Sequence, residues 1–197
     1  MRVSREKAAE NRKALLTAAS QLFREKGIDG VGVAEVAKAA GLTHGALYAH
    51  FPSKDSLAAE AFSHAFAGRM ERARTWAGER KPTFTDYVES LISPRMRDDV
   101  ATGCPLVASA SEVGRHGPDL SKSFADAFEE EVAMVAASID ESIPEATRRE
   151  LAVAAIAAQI GAMAVSRAVA KKDPALSDEV LKASVQVIGD AYTKRTG

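Results

Sequence analysis

Apolar residues recur along this chain at spacings of three and four, and nowhere do they settle into the alternation that marks a strand. A first helix is predicted over residues 4–26, where Leu15, Ala19, Leu22 and Phe23 form one stripe and Gly27 supplies the stop. Val33, Val36 and Ala37 carry the pattern into a short second helix ended by Gly41, and Leu47 and Phe51 mark the inward side of a third, about His44 to Phe51. Pro52 stops that helix, and Ser53 caps a long one reaching to about Glu79, with Ala58, Phe62, Phe66, Met70, Ala73 and Ala77 near one side. Lys81 and Pro82 break the chain before the short amphipathic helix FTDYVESLIS, which Pro94 ends or bends, and SPRMRDDVATG reads as a loop.

Pro105 suits the first turn of a further helix, GRHGPDLS reads as a loop, and a helix from about Leu120 to Ile139 turns Phe124, Phe128, Val132 and Val135 inward, leaving the acidic run Glu129 to Glu131 in solvent. After Pro144, the stretch from Glu145 to about Lys171 is apolar nearly all round, so it must be covered on several sides. A last helix, about Ser177 to Lys194, carries Val180, Leu181, Ser184, Val187, Ile188 and Ala191. The fold class is therefore all-α, a small N-terminal three-helix helix-turn-helix unit followed by a larger helical one, divided at 1–52 and 53–197.

The stretch from Val31 to Leu57 has chemistry beyond a core. Gly41 can take the positive φ of a tight turn between helices, and Thr43 can cap the helix that follows. His44 and Tyr48, four apart, share a face beside the one holding Leu47 and Phe51. Gly45 costs its helix about 1 kcal/mol relative to alanine, which suits a place where a partner approaches the backbone closely. Lys54 sits in the first turn after the Ser53 cap, where a cation opposes the helix dipole unless an anion such as phosphate binds there.

Ala37, Gly41, Leu47 and the run GLTHGALYAHFPSKDSL together resemble the helix-turn-helix of the TetR/AcrR family of bacterial ligand-responsive transcription regulators. The likeness is specific over about the first sixty residues; beyond them it rests on length and helicity. It implies a homodimer that binds a palindromic double-stranded DNA operator, acts as a repressor, and lets go when a small-molecule inducer enters the larger domain. Carried over position by position, it places Thr43, His44, Gly45, Ala46 and Tyr48 toward the major groove and Tyr48, His50 and Lys54 on phosphates. His44 can exchange a hydrogen bond with a base edge, while Thr43 and Ala46 can offer methyl groups to thymine. The chain departs from the family at Gly32, where a Ser or Thr commonly caps the second helix and bonds a phosphate; a backbone N–H would have to make that contact.

For the larger unit, Phe66, Met70, Tyr87, Leu91, Cys104, Val107, Phe128, Gln159 and Met163 are candidate pocket residues for a mostly apolar ligand, and Trp76 on the long helix could also line a pocket; core packing is the competing reading for each. The last two helices are the candidate dimer interface, a four-helix arrangement across a two-fold axis. Cys104, just before Pro105, stands at a helix start that favours thiolate, so a thiol-based electrophile or oxidant sensor is one reading; a small buried apolar residue is the other.

Charge modifies this picture modestly. The net charge of −1 conceals residues 1–56 with 9 Lys/Arg and 6 Asp/Glu, net +3, against 17 and 21, net −4, in residues 57–197. Arg2, Arg5, Lys7, Arg12 and Lys13 form a basic arm suited to phosphates or a minor groove. No uninterrupted apolar run of about 18 residues exists, the N-terminal charges are spread, and there is one cysteine, so a cytoplasmic protein without a membrane partner is expected. Phosphate-loop, dinucleotide, nucleophile-elbow and metal spacings are missing; His44 and His50, six apart, face different sides of a helix. No cofactor, metal or enzymatic activity is expected. A small-molecule-binding protein or enzyme with a vestigial helix-turn-helix, and a helical interaction module regulated through its dimer face, are the alternatives.

Overall fold

The computed structural model describes residues 5–196, in which ten α-helices and one 3-10 turn leave no strand. The helices are α1 (Arg5–Lys26), α2 (Val33–Ala39), α3 (His44–Tyr48), α4 (Lys54–Ala77), α5 (Phe84–Leu91), α6 (Pro94–Asp98), α7 (Pro105–Ser109), α8 (Pro118–Ala136), α9 (Glu145–Ala170) and α10 (Pro174–Thr196), with the 3-10 turn at Val113–Arg115. Local chemistry sets most of these ends. Gly41, at φ +69°, makes the turn between α2 and α3, and the Thr43 and Ser53 hydroxyls accept from the Ala46 and Ser56 amides at 3.2 and 3.0 Å. Thr83 and Asp86 cap α5 reciprocally.

Several boundaries differ from expectation for the same kind of reason. Pro94 opens a helix where a loop was expected: the Ser93 hydroxyl accepts from the Met96 amide at 3.2 Å, and proline occupies the first turn, where its missing N–H costs nothing. Pro118 likewise starts α8 two residues early, and the 3-10 turn orders part of the predicted loop before it. α10 starts at Pro174, ahead of Ser177, because the Asp173 carboxylate accepts from the Leu176 amide at 2.9 Å. α3 is shorter than expected, its chain continuing through turns to His50.

Two regions of core meet on α4. Toward the N-terminus, Leu57, Ala58, Ala61 and Phe62 pack with α1 around Leu15, Ala19, Val36, Leu47 and Phe51, all buried. Farther along, Phe66, Arg69 and Met70 are buried where α4 packs on α8, and Glu131 of α8 is fully buried against Arg69. Expecting the whole Glu129–Glu131 run in solvent was therefore wrong at Glu131: the helical turn that exposes Glu129 and Glu130 carries the next residue inward, where a cation awaits it. The N-terminal helices are also held to the larger unit directly. The Arg24 guanidinium donates to the Ala101 carbonyl at 2.7 Å, the Ile28 amide donates to Glu112 at 3.0 Å, and His116 lies 3.7 Å from Asp29 and 3.5 Å from Asp55.

α9 is long and apolar enough to cross a membrane by length and composition alone. In this fold it packs against α10 most extensively and also against α8 and α7, burying Leu151, Ile156, Gln159, Met163 and Ser166. The Ser166 hydroxyl donates to the Ser177 carbonyl at 3.1 Å, which ties the start of α10 to it. Its other side, Ala154, Ala157, Gly161, Ala164, Val165 and Ala168, is uncovered, with Val165 50% exposed; α10 adds Leu176, Ala183 and Val187, the last 64% exposed.

Candidate nucleic-acid interface and effector cavity

α3 is about a turn and a half of helix whose two sides have separate tasks. Leu47 and, just beyond it, Phe51 are 0% exposed and fasten α3 to the core. The opposite side holds Thr43, His44, Gly45 and Tyr48, all exposed, with Ala46 and His50 half-buried. The His44 and Tyr48 rings meet edge to face, centroids 5.0 Å apart, so the two side chains form one polar-tipped aromatic ridge. A Cβ built on Gly45 meets nothing within 4 Å, so the interior does not require glycine there. Lys54 lies in the first turn of α4, half-buried and close in sequence to the Ser53 cap. Seven candidate contacts, Thr43, His44, Gly45, Ala46, Tyr48, His50 and Lys54, thus lie along one short path from the start of α3 to the start of α4.

The basic arm is less free than its sequence implies. Arg12 pairs with Glu60 and its guanidinium lies 5.0 Å from the Phe51 ring centroid, so it braces α1 on α4; Lys7 pairs with Glu10 at 3.0 Å. Arg5 and Lys13 are exposed, and Arg2 lies outside the described residues. Gly32 caps α2 without a side-chain hydrogen bond, at φ −84° and ψ 147°, and a Cβ there meets nothing within 4 Å. Gly32→Ser is accordingly expected to raise stability by a few tenths of a kcal/mol, read by urea denaturation, since a hydroxyl supplies the missing cap. A loss of stability would show that this backbone does not accept a side chain.

In the larger unit, α4, α5, α6, the segment before α7 and Met134 of α8 line a cavity of about 490 Å³. Tyr87, Leu91 and Cys104 line it, as does Trp76; the Trp76 and Tyr87 rings lie 6.0 Å apart, tilted by 59°. Phe66 and Met70 instead line a shallower cleft of about 300 Å³ between α4 and α8. Val107 and Phe128 are half-buried in core packing, and Gln159 and Met163 are fully enclosed; none of these four lines the larger cavity. Gln159 is nonetheless unusual, because both polar atoms of its amide are buried without a protein partner.

Sequence periodicity missed the cavity's charged lining. Arg69 is only 7% exposed and donates from Nη2 to Glu131 Oε1 at 2.5 Å. Burial pushes the Glu131 carboxyl above its ordinary range, against the pull of Arg69, while the guanidinium, despite its own burial, is held more firmly protonated than usual, with the Glu131 carboxylate and its hydrogen bond acting in that direction. The available signal was an arginine at an inward helical position, three residues after Phe66. Cys104 does stand at the N-cap of α7, yet its thiol is pushed up, not down: burial is the largest influence and outweighs Arg69 and the amides of a five-residue helix. It enters the cavity wall as a neutral thiol.

These features agree with the comparisons. Residues 15–61 match the model for bacterial regulatory proteins of the tetR family, and residues 83–177 match the C-terminal domain model of LmrA/YxaF-like transcriptional regulators. Among curated proteins, the HTH-type transcriptional regulator CymR of Pseudomonas putida is 35% identical over 113 residues, covering 55% of each chain. The matched part spans about half of that relative and about a quarter of two others, AcrR of Shigella flexneri and BepR of Brucella suis. A TetR transcriptional regulator from Chloroflexus aurantiacus superposes with a TM-score of 0.74 at 22% identity, covering 96% of this chain and 98% of that one. The regulator FadR of Bacillus subtilis, solved with stearoyl-CoA, gives a TM-score of 0.62 at 19% identity, covering 88% and 97%. With its helix-turn-helix and its helical C-terminal region each matched by a model of that kind, the chain belongs to the TetR family of bacterial regulatory proteins.

Proposed function

We propose that this protein is a ligand-responsive transcriptional repressor that binds a palindromic operator as a homodimer. The observation that carries the reading is the division of labour on α3, where Leu47 and Phe51 are completely buried while Tyr48, at 47% exposed, and His44 project together from a rigid base. An exposed aromatic ridge beside a helix start bearing Lys54 suits a duplex: His44 can read a base edge, Thr43 and Ala46 can meet thymine methyls, and Tyr48, His50 and Lys54 can hold phosphates. We place the DNA-binding unit at residues 1–52 and the effector and dimerisation unit at 53–197, with the first turns of α4 packed into the former.

The uncovered small-residue face of α9, continued by α10, supports dimerisation across a two-fold axis. Two copies joined there would present paired α3 helices to half-sites roughly one and a half to two DNA turns apart. α4 supports the link to a ligand, because its C-terminal half, from Arg69 to Trp76, walls the cavity and its first turn holds Lys54, about 22–33 Å away along the helix at 1.5 Å per residue. A tilt of this single helix would change the match between the paired α3 helices and the operator. The solved likeness with stearoyl-CoA bound supports the idea that a fold of this kind accommodates a small molecule.

Selection of genomic fragments by the purified protein at physiological salt, followed by footprinting, tests the reading. An enriched palindrome is expected; uniform weak retention would favour a vestigial helix-turn-helix. Lys54→Ala is expected to weaken binding to every sequence and to lower the salt dependence by about one unit of slope, whereas His44→Ala shifts the preferred site by about 1–3 kcal/mol of base discrimination. Tyr48→Ala should lose affinity while remaining a folded dimer, since its side chain stands outside the core. Unfolding of any of these variants would show that a core residue had been mistaken for a contact.

A further inference from the structure

We propose that the cavity takes an amphipathic acid, its carboxylate held by Arg69 and its apolar body lying along Trp76, Tyr87, Leu91 and Met96. This deepens the ligand-responsive reading and rests on it. The strongest reason is an incomplete ion pair. A guanidinium offers five N–H donors in a planar fork, and a carboxylate can answer two of them side by side. Here only Nη2 is well matched, to Glu131 Oε1; Nη1 finds just the Met70 sulfur at 4.0 Å, and Nε and Glu131 Oε2 are both buried without any protein partner. A buried cation with idle donors, lining a cavity, is a seat for an oxyanion.

Charge at depth points the same way. Asp86 and Asp99 also line the cavity, but each is engaged by a neighbouring threonine, Thr83 and Thr102, and both are only partly buried. Arg72, Glu89 and Arg95 are exposed, where water and salt screen them. Arg69 is thus the one lining charge in a low-dielectric setting, and burial works against the ionised form of its internal partner, Glu131. Ala73, Trp76, Tyr87, Leu91, Met96 and Met134 supply an apolar and aromatic wall, interrupted by the hydroxyls of Ser90, Ser93 and Thr102, with Arg80 stacked over Trp76 at 4.7 Å on one side of the ring. An acid entering this space competes with Glu131 for Arg69. It thereby loosens the tie between α4 and α8 at the helix that also carries Lys54.

Trp76 is the chain's single tryptophan, so its fluorescence reports from the cavity wall. Titration of the full chain with 4-phenylbutyrate and with the neutral 4-phenylbutyramide should show the acid binding at least about tenfold more tightly, the worth of one charge-assisted contact. In the double variant Arg69→Met with Glu131→Met, which removes both charges together and so keeps the fold, the two compounds should bind alike. Equal binding by the native protein, a preference for the amide, a preference that survives in the double variant, or no response to either compound at millimolar concentration would each overturn the proposal. Release of the operator is measured alongside. Acid-selective binding that leaves DNA affinity unchanged keeps the anion seat and removes the ligand-responsive reading. Release driven only by neutral compounds keeps the regulation and removes the seat.

Discussion

Gly161→Arg is expected to give a folded monomer whose operator affinity is at least about a hundredfold weaker than that of the native protein. Gly161 lies in the middle of the uncovered α9 face, between Ala157 and Ala164, and a Cβ built on it meets nothing within 4 Å in the single chain. Inside the subunit the substitution is therefore harmless, and it improves helix propensity by about 1 kcal/mol. Across the proposed two-fold axis the same residue would meet its own counterpart's surroundings, so a bulky cation would be placed twice in a small-residue seam where it could not be solvated. Losing the dimer converts two linked half-site contacts into independent ones, and linkage of that kind is worth about 10²–10⁴ in affinity. Sedimentation of the variant and titration of the operator read the two effects separately. A dimer with intact operator binding would move the interface away from α9.

The second large effect concerns the Arg69–Glu131 pair. Arg69→Met or Glu131→Met alone is expected to destabilise the fold by about 3–5 kcal/mol, because each leaves one buried charge without its partner. The double substitution should recover most of that loss, since apolar side chains of similar volume replace both desolvated ions. The idle Nε and Oε2 strengthen this expectation, because a pair joined at one point recovers less of its desolvation cost than a two-point fork. Urea denaturation of the native protein, both single variants and the double variant forms a complete cycle. Additive losses would mean that the two groups do not support one another and that water already satisfies them.

Much of this architecture follows from sequence because its signals are local. Glycine at 41 takes a positive φ wherever the chain goes, Thr43 and Ser53 cap helices with their own hydroxyls, and Leu47 with Phe51 must share a side at a spacing of four. The helix-turn-helix and the order of the long helices were legible on those grounds, and the resemblance carried by GLTHGALYAHFPSKDSL led to the same family as the comparisons. Where local signals were present but misread, Pro94, expected to end or bend a helix, opens one, and α10 begins at Pro174, ahead of the expected Ser177, behind the Asp173 cap.

The cavity is another matter. Tyr87, Leu91 and Cys104 reach it, yet Phe66, Met70, Gln159 and Met163 satisfy the same periodicity and serve other packing, because an inward position does not say whether a neighbour or a void lies opposite. The thiol at 104 carried a helix-start signal that burial overrode. By itself, then, the sequence determined the helices, their caps, the buried and presented sides of α3 and the family. Only the tertiary structure decided that Arg69 and Glu131, sixty-two residues apart, would neutralise one another beneath a cavity, because the low dielectric that gives such a pair its force exists only once α4 and α8 have closed over it.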